Sequence, residues 1–286
     1  MTPRDRLVRL ERELRVLSRS AAVGRSAVRL DDVVDALGER ALLVFISHRG
    51  RLVGVSVVGG RVRVHDFRAA RHVPPSGDVT ALDRLLRPAG DRAVVVVPSP
   101  ELARVPWGAL PSARGRAVSV ASSVGCWFRA AVRPLAVAER VWVSGRTGRE
   151  VSALRAAHGG RVCSTVDDAL RGMARADVVH FAARGERQDE LFSYLSLADG
   201  PLHGHDLAGL ARVPSVVVLS GGESGLAPLL MRRGARVVVE SVRPSTDERA
   251  VDLMVALHAN LANPAQALAD AQLRHGDLGF VCLGAG

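Results

Sequence analysis

The chain has 286 residues, of which 48% are hydrophobic and 24% charged, a globular composition with enough length to bury a sizeable core. All 39 residues in the Lys+Arg count are arginine, so a P-loop, a protein-kinase site and Schiff-base or pyridoxal chemistry are excluded, since each needs a lysine amine. The net charge is +10, but aromatic residues are only 3% and Tyr194 is the single tyrosine, which leaves no stacking platform, and nucleic acid is not an expected partner.

No apolar run approaches the roughly 18 residues that span a bilayer, so no membrane association is expected. Met1 to Arg12 is charged throughout and lacks an apolar signal core, which points to a cytoplasmic protein. Cys126, Cys163 and Cys282 have no CxxC spacing and read as reduced thiols rather than a disulfide framework or a zinc site.

In chain order, Leu7, Leu10, Leu14 and Leu17 form one apolar stripe on a helix, assigned to an N-terminal segment 1–20. A β-hairpin region, 21–77, follows. Its extended stretches Ala41–Ser47, Arg51–Val58 and Arg61–Phe67 are joined by turns that include Gly59-Gly60, a hairpin signal, and they read as an antiparallel meander. After a proline-bearing linker, His72 to Asp78, the rhythm of 78–286 changes to short valine-rich strands separated by helical periods, the pattern of a parallel sheet covered on both faces. The strands are Ala93–Val97, Ala117–Val120, Arg140–Ser144, Asp177–Ala182, Ser215–Ser220 and Ala235–Glu240, with Leu278–Leu283 as a last edge strand. Helices are expected over Ser123–Val132, Glu150–Ala157, Val166–Arg175, Gly225–Arg233, Thr246–Leu261 and Pro264–Arg274, the last capped by Asn263.

In an open α/β sheet, functional groups gather beyond the carboxyl ends of the strands. Two loops there stand out: His180-Phe-Ala-Ala-Arg184-Gly-Glu186 and Leu219-Ser-Gly-Gly222-Glu-Ser-Gly225. Together with Val94-Val-Val-Val-Pro98, Val105-Pro-Trp107-Gly-Ala-Leu-Pro111, Leu195 to Leu202, Leu253 to His258 and Ala265 to Gln272, they make most of the chain resemble the CHAT domain, a bacterial branch of the caspase-like cysteine peptidases. The resemblance implies a caspase-like three-layer α/β sandwich with a mainly parallel central sheet, plus an N-terminal antiparallel β-hairpin layer. In the family, a histidine in a motif like H-x-A-A-H-G and a cysteine in one like L-S-A-C-x-x-G lie side by side. The imidazole deprotonates the thiol, and backbone N–H groups hold the oxyanion.

Transferred by motif, the histidine falls on Arg184 and the cysteine on Gly222. An arginine is protonated at any working pH, and glycine has no side chain to attack with. The stretches between Gly225 and Leu229 and before Glu150 also look shortened against the family, which implies a shallower cleft. The resemblance therefore implies a catalytically inactive pseudopeptidase that binds a protein partner as scaffold or regulator, with no cofactor and no metal. Two alternatives stay open: a sensor of a small anion at Arg184, Gly221, Gly222 and Glu223, and a residual cysteine or serine hydrolase.

Ser220 and Ser224 do not stand in G-x-S-x-G, and the three cysteines fall on a helix, a strand start and the C-terminal edge, ordinary sites for small apolar residues. His203-Gly-His205-Asp206 lacks a further ligand for a metal, and His205 or Asp206 reads as the cap of a short helix near Leu207. His180 reads as a core histidine with its hydrogen bonds satisfied, while His158 and His258 carry no pairing signal. For Arg184 the expected partner is Glu223, with Glu186 or an open cation beside Gly221-Gly222 as the other outcomes.

Overall fold

The structure is a computed structural model and describes residues 28–48, 51–67, 79–145, 148–242 and 249–286. Helix α1 (Leu30–Leu37) leads into the meander β1 (Ala41–His48), β2 (Arg51–Val58) and β3 (Arg61–Asp66). After α2 (Val79–Arg84) come β4 (Val94–Val97), a run of short 3-10 turns, β5 (Val118–Val120) and α3 (Val124–Ala131). Strands and helices then alternate through β6 (Arg140–Ser144), α4 (Arg149–His158), β7 (Arg161–Cys163), α5 (Val166–Met173) and β8 (Val178–Glu186). A hairpin, β9 (Tyr194–Ser196) and β10 (Pro201–His203), precedes α6 (Gly204–Ala208), β11 (Val216–Gly221), α7 (Ala227–Arg233) and β12 (Val237–Ser241). The chain closes with α8 (Arg249–His258), α9 (Pro264–His275) and β13 (Phe280–Gly284).

The central sheet consists of two parallel blocks with an antiparallel seam. Strands β7, β6, β8, β11 and β12 run in one direction, and β13, β5, β4 and β1 run in the other, with β12 and β13 paired antiparallel between them. The valine runs follow from this: all four residues of β4 and all five of β12 are buried, because helices or 3-10 turns cover both faces. One face of the first block packs on α5, α6 and α7, and the other packs on α4, α8 and α9. The meander is present with the expected pairing, its Gly59-Gly60 turn having φ of 54° and 73°, and β1 also pairs in parallel with β4, so it continues the sheet.

Leu278–Leu283 was expected at an edge but supplies β13 at the centre. It pairs antiparallel with β12 on one side and parallel with β5 on the other. Strands β7, β9 and β10 have three residues each, too few for alternation to register in the sequence. Asn263 caps α9 as expected, its Oδ1 accepting the Gln266 N–H at 3.3 Å, and Ser123 caps α3 by accepting the Cys126 N–H at 3.1 Å. The leucine-striped helix over Arg4 to Ser18 and the linker His72 to Asp78 lie outside the described residues.

His180 is fully buried in β8 and satisfied as expected: Nε2 lies 2.6 Å from Glu150 Oε1 on α4, and Nδ1 lies 3.0 Å from His258 Nε2 on α8. The two helical histidines do have a pairing role, one that spacing could not show. His258 packs edge-on against Trp142 with ring centroids 4.8 Å apart, and His158 Nε2 bonds to the Val255 carbonyl at 2.9 Å. Burial, followed by the neighbouring His180, His158 and Arg140, holds the His258 pKa well below the ordinary imidazole value.

His258 is therefore neutral in the folded chain and takes up a proton on unfolding once the pH falls below about 6.5. The stability it contributes is whole above that pH and is lost progressively as the pH drops further. Urea midpoints are expected to fall between pH 7.5 and pH 5.5, and His258→Gln is expected to flatten the dependence. An equally steep profile in the variant would contradict this assignment.

Candidate functional site

Strands β8 and β11 are parallel neighbours, so their carboxyl ends emerge at the same edge of the sheet. The register runs from Val216 opposite Val178 to Leu219 opposite Phe181, shifts at an irregular step, and resumes with Gly221 opposite Arg184. The two backbones approach very closely at this step. A Cβ on Gly221 would lie 1.9 Å from the Ala183 carbonyl oxygen, so only glycine fits. Gly222, the next residue, has φ of 108°, a conformation that a cysteine or any other L side chain adopts only under strain. Arg184 thus stands opposite Gly221, with Gly222 one residue further along, at neighbouring strand ends.

Arg184 is exposed and makes no ion pair among the described residues. The expected Arg184–Glu223 pair does not form. Two other guanidiniums occupy both carboxylate oxygens of Glu223: Arg104 Nη2 meets Oε2 at 2.6 Å, and Arg187 Nη1 meets Oε1. Arg187 comes from the loop after β8, whereas Arg104 arrives from the turns after β4, in the other half of the sheet. No local sequence signal marked it. Of the three outcomes considered for Arg184, the structure has the open cation beside Gly221-Gly222.

The hydroxyls nearby are engaged in holding the loop. Ser220 Oγ donates to the Phe181 carbonyl at 3.2 Å. Ser224 is fully buried, and both its N–H and its Oγ–H bond to Glu240 Oε1, at 2.8 and 2.9 Å. Burial pushes the Glu240 carboxyl pKa up, and the two Ser224 bonds partly offset that. Glu240 went unnoticed in the sequence because it ends a valine run, and its role as the anchor of the Gly221–Leu226 loop follows from the β11–β12 pairing.

All three cysteines are thiols. Cys163 ends β7 rather than starting a strand, and burial raises its pKa. Cys282 lies in the sheet centre with its pKa pushed up to about 12 by burial, so it carries no thiolate at neutral pH. Cys126 is half-buried in the first turn of α3, where Arg129 Nη2 lies 3.4 Å from its sulfur. Four of the histidines are committed elsewhere: His158, His180 and His258 in the cluster around Trp142, and His65 to Ser56 Oγ at 2.8 Å.

No group of three or more metal-ligating side chains occurs among the described residues. His203 and His205 stack on each other with ring centroids 4.9 Å apart. Asp206 caps α6 from inside its first turn, Oδ2 accepting the His203 N–H at 2.9 Å, and the helix begins at Gly204 rather than near Leu207. No helix among the described residues is long and apolar enough to cross a membrane.

The architecture is that of the caspase-like α/β proteins. Two crystal structures of the Saccharomyces cerevisiae separase–securin complex are similar to it. One has a TM-score of 0.52 at 10% identity over 73% of this chain, and the other 0.58 at 7% identity over 90%. The chain spans only 17% and 30% of the length of those chains. No curated protein matches the sequence. The CHAT domain model matches residues 134–277, half of the chain and all of the strand ends described above, and the chain belongs to the CHAT domain family.

The close approach at Gly221 is expected to dominate the local energetics. Gly221→Ala should cost about 1–3 kcal/mol by forcing the β8 and β11 backbones apart. Arg184→Ala, at an exposed position, should stay within about 0.5 kcal/mol of the parent. Urea unfolding midpoints check both, and a neutral Gly221→Ala would refute the steric assignment.

Proposed function

We propose that this chain is a pseudopeptidase of the CHAT family that acts by binding a protein partner, as scaffold or regulator, through the surface at the carboxyl ends of β8 and β11. One observation carries the reading: the two adjacent positions that would hold base and nucleophile hold Arg184 and Gly222. A guanidinium cannot accept the proton, and a bare Cα cannot attack. The positive φ at Gly222 adds support, because the backbone has settled where a cysteine would be strained.

The surface left in place of a cleft is cationic. Arg104 and Arg187 both pair with Glu223 there, and Arg184, near the end of β8, makes no ion pair among the described residues. Such a surface suits an acidic segment of a partner protein, to which guanidiniums can form paired hydrogen bonds. The similar separase structures are complexes with a protein partner, securin, which agrees with a binding role for this fold.

A second reading rests on the open Arg184 cation beside Gly221-Gly222: a small anion held there would make the chain a ligand sensor. A thermal-shift screen of anions separates the two, since stabilisation that vanishes in Arg184→Ala supports the sensor.

For the main reading, a fluorophosphonate and a peptidyl acyloxymethyl ketone are expected to give no saturable labelling, and no peptide cleavage should be measurable. The partner captured from the native host is expected to be lost on charge reversal with Arg184→Glu and Arg187→Glu. Saturable labelling that abolishes a cleavage activity would establish a hydrolase and overturn the proposal.

A further inference from the structure

A cavity of about 570 Å³ lies between α3, α7 and the ends of β4, β5 and β13. This volume lies within the range of pockets that enclose small organic ligands. Its floor and walls are apolar, formed by Val120, Met231, Leu283 and Pro228. The polar groups are concentrated at one side. Arg129 and Arg133 lie one turn apart on and just beyond α3, Arg232 projects from α7, and among the described residues no carboxylate lines the cavity.

The charge balance of these three arginines is uneven. Arg232 is neutralised by Glu190. Arg129 and Arg133 are half-buried and make no ion pair among the described residues; the one side-chain bond of Arg129 runs to the Cys126 sulfur at 3.4 Å. Positive charge is reinforced from behind, where Arg236 Nη1 donates to the carbonyls of Ala131, at 2.8 Å, and Arg133. Two partly desolvated guanidiniums four residues apart repel each other, and a counter-anion relieves both the repulsion and the desolvation.

We propose that this cavity is a binding site for a small amphipathic anion, a carboxylate on an aliphatic or aryl body. The carboxylate sits between Arg129 and Arg133, and the apolar body lies along Val120, Met231 and Leu283. Shape and charge select this chemistry together. The apolar walls reject a bare inorganic anion, whose hydration they cannot replace, and the paired cations reject a neutral or cationic amphiphile of the same length. The Cys126 thiol lines the same cavity, so a bound ligand screens it from solvent.

Arg104, Arg184, Arg187 and Glu223 do not line the cavity, and the proposal does not depend on the pseudopeptidase reading.

The test uses the full chain and decanoate as probe, with decanol and decylamine as neutral and cationic controls. Calorimetry is expected to show decanoate binding at least tenfold more tightly than either control. Saturating decanoate is expected to slow iodoacetamide alkylation of Cys126, read by mass spectrometry, at least fivefold. The double variant Arg129→Met, Arg133→Met should lose tenfold or more in decanoate affinity, and Met231→Trp should block binding by filling the cavity. The Cys126 protection assay needs no variant, so misfolding of a mutant cannot obscure the result. Equal affinity for all three amphiphiles, or decanoate binding without protection of Cys126, would overturn the proposal.

Discussion

The approach of two parallel strands at Ala183 and Gly221 sets the geometry of everything at this end of the molecule. With no room for even a methyl group between them, β8 and β11 are held at a fixed register after the irregular step, and the two residues that follow, Arg184 and Gly222, become neighbours. A sheet edge built this way is rigid because its position is a matter of backbone packing rather than of side-chain rotamers. The same rigidity that would hold an imidazole and a thiol in a peptidase here holds a guanidinium beside a bare backbone.

Around that edge, two carboxylates hold the loop in place. Glu240 accepts two hydrogen bonds from Ser224 and so anchors the Gly221–Leu226 loop from β12, while Glu223 is bracketed by Arg104 and Arg187 from opposite halves of the sheet. The first tie is buried, where an unsatisfied carboxylate would cost several kcal/mol, so the loop is held firmly. The second is exposed and contributes little stability, of the order of 0–1 kcal/mol, but it decides which cations remain open. Because Glu223 is taken, Arg184 is left facing solvent. Helix α7 begins where this loop ends and lines the arginine-bearing cavity from Ala227 to Arg232.

Much of this was legible in the sequence. Valine runs separated by helical periods imply a doubly covered parallel sheet because a strand buried on both faces has no polar side to show, and β4, β6, β11 and β12 fall where those runs lie. The presence of Arg184 and Gly222 in these two loops is a statement about residue types and needs no coordinates. The central place of β13 was not legible, since an apolar strand of five residues looks the same at an edge as in the middle until its neighbours are known. The Glu150–His180–His258 cluster escaped for a similar reason: its members are 30 and 78 residues apart on three elements, and each taken singly is an ordinary residue on its own helix or strand.

By itself, then, the sequence determined which side chains are on hand, because ionisation and nucleophilicity belong to residue types: no lysine anywhere, an arginine at 184 and a glycine at 222. Only the tertiary structure decided which charges meet and which are left over. Glu223 pairs with Arg104 across 119 residues rather than with the nearer Arg184, and Arg129 and Arg133 have no counter-charge among the described residues beside an apolar cavity. Pairing of charges depends on distance in space, which the sheet order sets, and the order of strands is not written in any one of them.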